Sequence, residues 1–224
     1  MPRIARIVAT GYPHHITQRG NNRTVVFLDD DDRQAYLDFL VSCAQKHSLD
    51  ILAYCLMNDH LHLLAIPNHE SSLSKGVGLA NQLYTQYFNC KHGSSGRVWQ
   101  NRFFSCVVEH HHYLWSVLRY IVNNPVKKGL VKRAEDYNWS SARGHLLGEE
   151  DELLGGEQWL DPQELPGFRS FVKEQNSYIE SAIRKATSTG RPFGSADFVS
   201  MLEDRLQIPI KTRRPGRPRK NLRP

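Results

Sequence analysis

The chain has 224 residues, 40% of them hydrophobic and 23% charged, with a formal net charge of +6 at pH 7. Those numbers suffice for one domain of average size with a tail, and the basic balance favours an anionic partner, nucleic acid ahead of a membrane surface. Scattered cysteines (Cys43, Cys55, Cys90, Cys106) without a C-x-x-C pair argue against a zinc ribbon or a disulfide framework, and no run approaches the roughly 20 apolar residues of a membrane span.

The opening MPRIARIVATGYPHH lacks the apolar core of a signal peptide, so a cytoplasmic protein is expected. Residues 11–19 (GYPHHITQR) lean towards a strand and run into the turn-prone Gly20-Asn21-Asn22. The acidic run at 29–32 suits a helix start, where it complements the dipole. Tyr36, Leu37, Leu40, Val41 and Ala44 continue that helix to about His47. Two strand-like runs, ILAYCLM (51–57) and HLHLLAIP (60–67), flank the turn residues Asn58-Asp59.

A second helix fits 71–89 through Leu73, Val77, Ala80, Leu83, Tyr84, Tyr87 and Phe88. KHGSSG (91–96) reads as a loop and RVWQNRFFSCVVE (97–109) as a strand. A third helix covers 111–123, with Leu114, Val117, Leu118 and Ile121 as its apolar stripe and Pro125 closing it. The order β-α-β-β-α-β-α matches an α+β, ferredoxin-like split βαβ sheet with an added helix.

Beyond Gly129 the periodicity weakens. Residues 135–148 and 167–187 and the segment DFVSMLEDRLQI (197–208) read as helices, which makes 151–210 a helical C-terminal extension. KTRRPGRPRKNLRP (211–224) has too little apolar surface to fold and is expected to be a disordered basic tail. Its RPGRPRK core resembles an AT-hook, an extended Arg-Gly-Arg-Pro unit for an A·T-rich minor groove. A solvated charge run that binds any polyanion is the alternative.

His60-Leu61-His62 stands out chemically. On a strand the two imidazoles share one face, with Cα atoms about 6.6 Å apart, which suits a shared metal. Leu61 then points into the core, and Leu63 and Leu64 make the pair the start of a buried edge strand. His110 and His112 repeat the spacing, but at a helix start, where i,i+2 side chains do not share a face. Tyr120 falls late in the third helix on the flank of its apolar stripe, with Asn124 one turn on. A tyrosine is a legitimate nucleophile, but its pKa near 10 leaves little phenolate at pH 7 without help. A metal that withdraws charge from a phosphate supplies such help. Ordinary strand histidines and a packing tyrosine are the alternatives to both roles.

Three stretches in series resemble the REP-associated tyrosine transposases, in the single-tyrosine branch of the HUH endonucleases. They are HHITQRGNNRTVVFLDDDDRQAYLDFL (14–40), AYCLMNDHLHLLAIP (53–67), and RVWQNRFFSCVV (97–108) continuing through LRYIVNNPVKKGLV (118–131). GRPFGSADFVSMLEDRL (190–206) and the basic tail are also similar to that family's C-terminal region. The resemblance implies an HUH endonuclease domain over 1–150, with His60 and His62 as metal ligands, Asn124 as a third ligand and Tyr120 as nucleophile.

It further implies Mg²⁺ or Mn²⁺ as cofactor, a covalent 5′-phosphotyrosine intermediate, and single-stranded REP-type hairpin DNA as partner. The protein would then work in the cytoplasm at the nucleoid, as monomer or homodimer, with its site assembled within one chain or between two. Arg19, Arg23, Arg97, Arg102, Lys127 and Lys128 are candidate phosphate contacts, joined by Arg214, Arg217 and Arg219 of the tail. Trp99 is a candidate for stacking on an unpaired base, or else a core residue. Two other readings remain open: a non-catalytic RRM-like nucleic-acid binder, since that module shares the sheet architecture, and a metal-dependent hydrolase with an activated water.

Overall fold

The computed structural model describes residues 6–110, 112–154, 165–174 and 176–210. The tail at 211–224, with Arg214, Arg217 and Arg219, lies outside the described residues. Strands β1 (His14–Arg19), β2 (Leu49–Met57), β3 (His60–Pro67) and β4 (Phe104–Val107) form a four-stranded sheet in the order β2-β3-β1-β4. Every neighbouring pair is antiparallel. Helix α1 (Asp30–Lys46) joins β1 to β2 and α2 (Ser72–Lys91) joins β3 to β4. This is the ferredoxin-like split βαβ order expected from the sequence. The strand that carries His60 and His62 lies inside the sheet, between β2 and β1, and not at an edge.

Local chemistry explains the starts and stops. Asp29 caps α1 by accepting from the Asp32 backbone N–H at 2.9 Å, and Asp30, Asp31 and Asp32 fill the first turn. Along β3, alternation sends Leu61, Leu63 and Ala65 to the face covered by α1 and α2, where they meet Tyr36, Leu40, Leu73 and Tyr84. A bulge between Ile51 and Ala53 shifts the parity of β2. Ala53, Cys55 and Met57 thereby join Leu64 on the opposite face, beneath α3 (His112–Val122) and its Leu114, Val117, Leu118 and Ile121. Helices thus cover both faces, so the open aromatic platform of an RRM-like binder is missing.

Several boundaries differ from the sequence expectation. The strand expected over 97–109 shrinks to β4, because Val98, Trp99 and Phe103 turn into the core and Gln100, Asn101 and Arg102 are a polar run that cannot alternate with them. This segment instead runs beside the end of β1, with Asn21 N–H donating to Val98 O at 2.8 Å and Gln100 N–H to Arg19 O at 2.9 Å. Pro125 does not merely close the third helix. It sits in the first turn of a short helix, α4 (Asn124–Lys127), where a missing N–H is tolerated.

The helix expected over 135–148 is a 3₁₀ turn (Ala134–Asp136) and a short α5 (Ala142–Leu147). Between them, Trp139 and Ser141 hydrogen-bond to Leu56 and Tyr54 and so cover the free edge of β2. The helix expected over 167–187 is two: α6 (Leu165–Lys173) and α7 (Ser177–Thr189), the second capped by Asn176. A final helix, α8 (Ala196–Leu206), matches its expected position. Phe168, Val172, Ile183, Ala186 and Phe193 share one core with α3 and the sheet. Phe198 and Leu202 of α8 pack with Ile7, Ala9 and Val107.

The packing buries imidazoles in neutral form. His14 Nδ1–H donates to Tyr12 O at 2.8 Å while Nε2 accepts from Ala9 N–H at 3.2 Å. Burial holds both His14 and, on α5, His145 down to about 4. Unfolded histidines titrate near 6.5, so below that value the unfolded chain binds protons that the folded chain refuses. Stability should therefore be full above about pH 6.5 and fall as the pH drops towards 4, before most carboxylates titrate. Urea unfolding between pH 7 and 4.5 checks this, and a midpoint that stays constant over that range would contradict it.

Candidate active site

A cleft of about 530 Å³ opens where β1 and β3 meet α3, α4 and α7. Its floor follows from strand register. Thr17 lies opposite His62 and Arg19 opposite His60, which sets His15 diagonally across from His62, within reach of a long side chain. The His60 and His62 rings stand 5.1 Å apart and nearly perpendicular, at 81°. His60 Nδ1 bonds Asp59 Oδ1 at 2.5 Å and His62 Nδ1 bonds His15 Nε2 at 3.1 Å. Each ring is thus held through Nδ1, and Nε2 is left for a ligand.

Burial lowers the pKa of His60, against the opposing pull of Asp59, and puts that of His62 well below the ordinary value. Burial thus favours the neutral form of both rings, which carries a lone pair. At the end of β1, Gly20 permits the close turn that ties this strand to the β2–β3 connection. Its N–H donates to Asp59 O at 2.8 Å, and an added Cβ would lie 2.4 Å from Thr24 O.

Tyr120 comes in from above. It is only 6% exposed, deeper than the flank position expected, because the imidazoles of His15 and His62 and the side chains of Lys127 and Arg184 close around the ring. Its ring meets His62 edge-on at 5.4 Å and His15 at 5.7 Å. Burial raises the phenol pKa, while the guanidiniums of Arg184 and Arg19 oppose that rise. Asn124 directs its amide nitrogen to Tyr120 O at 2.8 Å, satisfying a carbonyl left over at the end of α3. The amide oxygen of Asn124 remains as an acceptor in the cleft. Tyr120, Asn124 and both histidines therefore converge within a single chain.

Arg19, Lys127 and Lys128 line the same cleft. Lys127 Nζ lies 5.3 Å from the Tyr120 ring centroid and is ion-paired with Glu180 of α7. Glu180 also lies 3.9 Å from Arg184. Arg23, Arg97 and Arg102 are exposed beyond the end of β1 and do not line the cleft. Trp99 takes the core alternative. It is 7% exposed, donates from Nε1 to Asn81 O at 3.0 Å, and is packed against Phe27, Tyr36 and Tyr84. No ring face is free to stack on a base. His110 and His112 belong elsewhere, beside Tyr12 and Phe171.

Sequence reasoning missed His15, Thr17 and Gln18, and the contribution of α7 through Arg184, Thr187 and Ser188. His15 and Thr17 had a signal, since with Arg19 they form a polar face alternating with the buried Ile16, whereas Gln18 falls on the other parity. The helix residues had none, being remote in sequence from every motif. Among the described residues, no three His, Cys, Asp or Glu side chains converge as a ready-made metal cage. Two imidazoles and an amide oxygen are donors that would fit a divalent ion in an open site. A larger hollow of about 660 Å³ on the other side of Lys127 contains neither imidazole nor tyrosine.

Comparison with known proteins gives this geometry a context. The family described as "Transposase IS200 like" matches residues 9–124, a span that holds His60, His62, Tyr120 and Asn124. A Haemophilus influenzae protein named as a REP-associated tyrosine transposase is 25% identical over 138 residues, covering 57% of this chain and 78% of the relative. A solved structure of a REP-associated tyrosine transposase bound to a REP hairpin superposes with a TM-score of 0.54 at 19% identity, covering 70% of this chain and 93% of that one. At that identity it speaks for the fold. No helix among the described residues is long and apolar enough to cross a membrane.

The placement of Trp99 makes a stability prediction. Trp99→Ala should cost about 3–5 kcal/mol, the usual range for emptying a large aromatic site in a core. Urea unfolding of the purified variant measures it. A loss below about 1 kcal/mol would mean that the indole is not packed as described.

Proposed function

This chain belongs to the IS200-like transposase family, and we propose that it cuts and rejoins single-stranded DNA at hairpins of the repetitive extragenic palindrome type, through a covalent bond between Tyr120 and a 5′-phosphate. The observation that carries this reading is the convergence of Tyr120, His60, His62 and Asn124 in one cleft rimmed by Arg19, Lys127, Lys128 and Arg184. The names of the Haemophilus relative and of the structural neighbour support the choice of substrate.

In this reading, His60, His62 and Asn124 hold a divalent ion through Nε2, Nε2 and Oδ1. Two nitrogen ligands make Mn²⁺ as suitable as Mg²⁺. When bound, the ion neutralises charge on the scissile phosphate and makes phosphorus more electrophilic. The protein does the rest. Tyr120 Oη attacks phosphorus in line and its proton leaves to solvent. The new bond is Tyr120 Oη–P, the broken bond is P–O3′, and the departing 3′ oxygen takes up a proton. A second 3′-hydroxyl can reverse the step and join strands, so no nucleotide cofactor is consumed. Arg184 and Arg19, which already oppose the burial-raised pKa of the phenol, stabilise the phenolate character that attack develops.

Tyr120→Phe removes the nucleophile but keeps the ring's packing, so it should abolish the protein–DNA adduct seen on denaturing gels while leaving hairpin binding intact. Tyr87→Phe and Tyr113→Phe should retain the adduct. EDTA, His60→Ala or His62→Ala should suppress it. An adduct formed by Tyr120→Phe would refute the assignment.

Substrate form is tested by competition among a hairpin with an unpaired flank, the same hairpin without it, and the paired duplex. In-line approach needs a strand free to bend, and a stem offers the cations a fixed ladder of phosphates. The flanked hairpin should be cleaved first. Equal cleavage of all three, or preference for the duplex, would overturn the substrate class.

A further inference from the structure

Behind His62 runs a buried hydrogen-bond chain that the chemistry above does not use. His15 is 1% exposed and Thr187 3%. His62 Nδ1 meets His15 Nε2 at 3.1 Å, His15 Nδ1 meets Thr187 Oγ1 at 2.7 Å, and Thr187 Oγ1 meets Ile183 O at 2.9 Å. Thr187 belongs to α7, outside the span matched by the family.

The donors along this chain follow from its far end. Of the neighbours of Thr187 Oγ1 only the Ile183 carbonyl can do nothing but accept, so the arrangement in which every contact is made points the single hydroxyl proton at Ile183 O. Thr187 Oγ1 then receives, and His15 Nδ1 must carry the proton it donates. His15 is 1% exposed and its partners, a threonine hydroxyl and a second imidazole, offer no negative charge to hold an imidazolium, so its Nε2 bears a lone pair. That lone pair can accept only if His62 Nδ1 is protonated, and a neutral His62 then has an unprotonated Nε2. The Cys106 thiol, 3.4 Å from Thr187 Oγ1, can donate to the remaining lone pair of the hydroxyl. If the chain ran the other way, Thr187 would donate to His15, His15 to His62, and His62 Nε2 would carry a hydrogen into the cleft.

We propose that Thr187 and His15 are positioning residues that fix His62 in the tautomer whose Nε2 lone pair is free for a ligand. The consequence for metal affinity rests on the proposed metal role of His62; the tautomer itself does not. A helix outside the family span thereby sets the state of a residue at the centre of the site. The inward partner of a ligating imidazole fixes its tautomer and ring orientation, and losing such a partner typically weakens metal binding by about 10–100-fold.

The test uses the full-length, ¹⁵N-labelled protein without metal. Imidazole ¹⁵N spectra of the wild type should show His15 and His62 both protonated on Nδ1 and not on Nε2. Thr187→Val keeps the shape of the side chain but removes the hydroxyl. It should shift His62 towards the Nε2-protonated form and weaken Mn²⁺ binding, followed by electron paramagnetic resonance, by about 10–100-fold. Thr187→Ser should restore both readouts, which a purely packing role of the threonine methyl would not allow. A wild-type His62 protonated on Nε2 would overturn the proposal. So would a Thr187→Val protein with unchanged tautomers, whether or not its Mn²⁺ affinity falls. If the spectra behave as expected but the wild type binds no Mn²⁺, the relay stands and the metal reading fails.

Discussion

The register between β1 and β3 is the constraint on which the site depends. Pairing Thr17 with His62 and Arg19 with His60 puts His15, His60 and His62 on one face and Ile16, Leu61 and Leu63 on the other. Side chains on a strand alternate with a period of two, so a slip of one residue in β3 would carry both histidines into the apolar layer under α1 and α2. The same slip would expose Leu61 and Leu63. Hydrophobic burial on one face therefore enforces the placement of chemistry on the other. The tight turn at Gly20 fixes the end of this pairing by tying β1 to Asp59, whose carboxylate holds His60.

On the chemical face, burial has a definite electrostatic effect. It makes neutral imidazoles of His15 and His62 by lowering their pKa values, and it disfavours the phenolate of Tyr120. These effects conflict in purpose. In the proposed reading neutral histidines would be ready ligands, but a neutral phenol would be a poor nucleophile. Arg184 and Arg19 at the rim favour the phenolate, against burial and the Glu180 carboxylate, and Arg19 at the same time disfavours charge on His60 and His62.

How much of this could be read from the chain depends on how local each cause is. His60 and His62 were legible because strand alternation is a two-residue rule, and the sheet order was legible because each element carries its own periodicity. Trp99 was ambiguous: a polar run follows it, and only the assembled aromatic cluster of Phe27, Tyr36 and Tyr84 decides for the core. The depth of Tyr120 was not legible, since a helical stripe gives the direction of the core but not what β1, β3 and α7 bring against the flank of the helix. Thr187 and Arg184 were hidden for another reason. They reach the site only because Ile183 and Ala186, on the same helix, bury themselves against the α3 face.

That docking also sets how the rim presents its charge. Glu180, one turn before Arg184 on α7, is ion-paired with Lys127 of α4 and so joins the two helices beside the cleft. The Lys127 side chain is 28% exposed, and burial lowers its pKa while Glu180 raises it. A half-buried ammonium is stable as a charge only with a partner. A phosphate drawn into the cleft would compete with Glu180 for Lys127 more than it would add to an unpaired cation. Arg19 interacts electrostatically with Asp59 and lines the cleft with Lys128, so in the proposed reading these two would share the phosphate contacts. Lys127 is already positioned over the Tyr120 ring. The Glu180 carboxylate thus offsets part of the positive charge at the rim while holding one cation beside the Tyr120 ring.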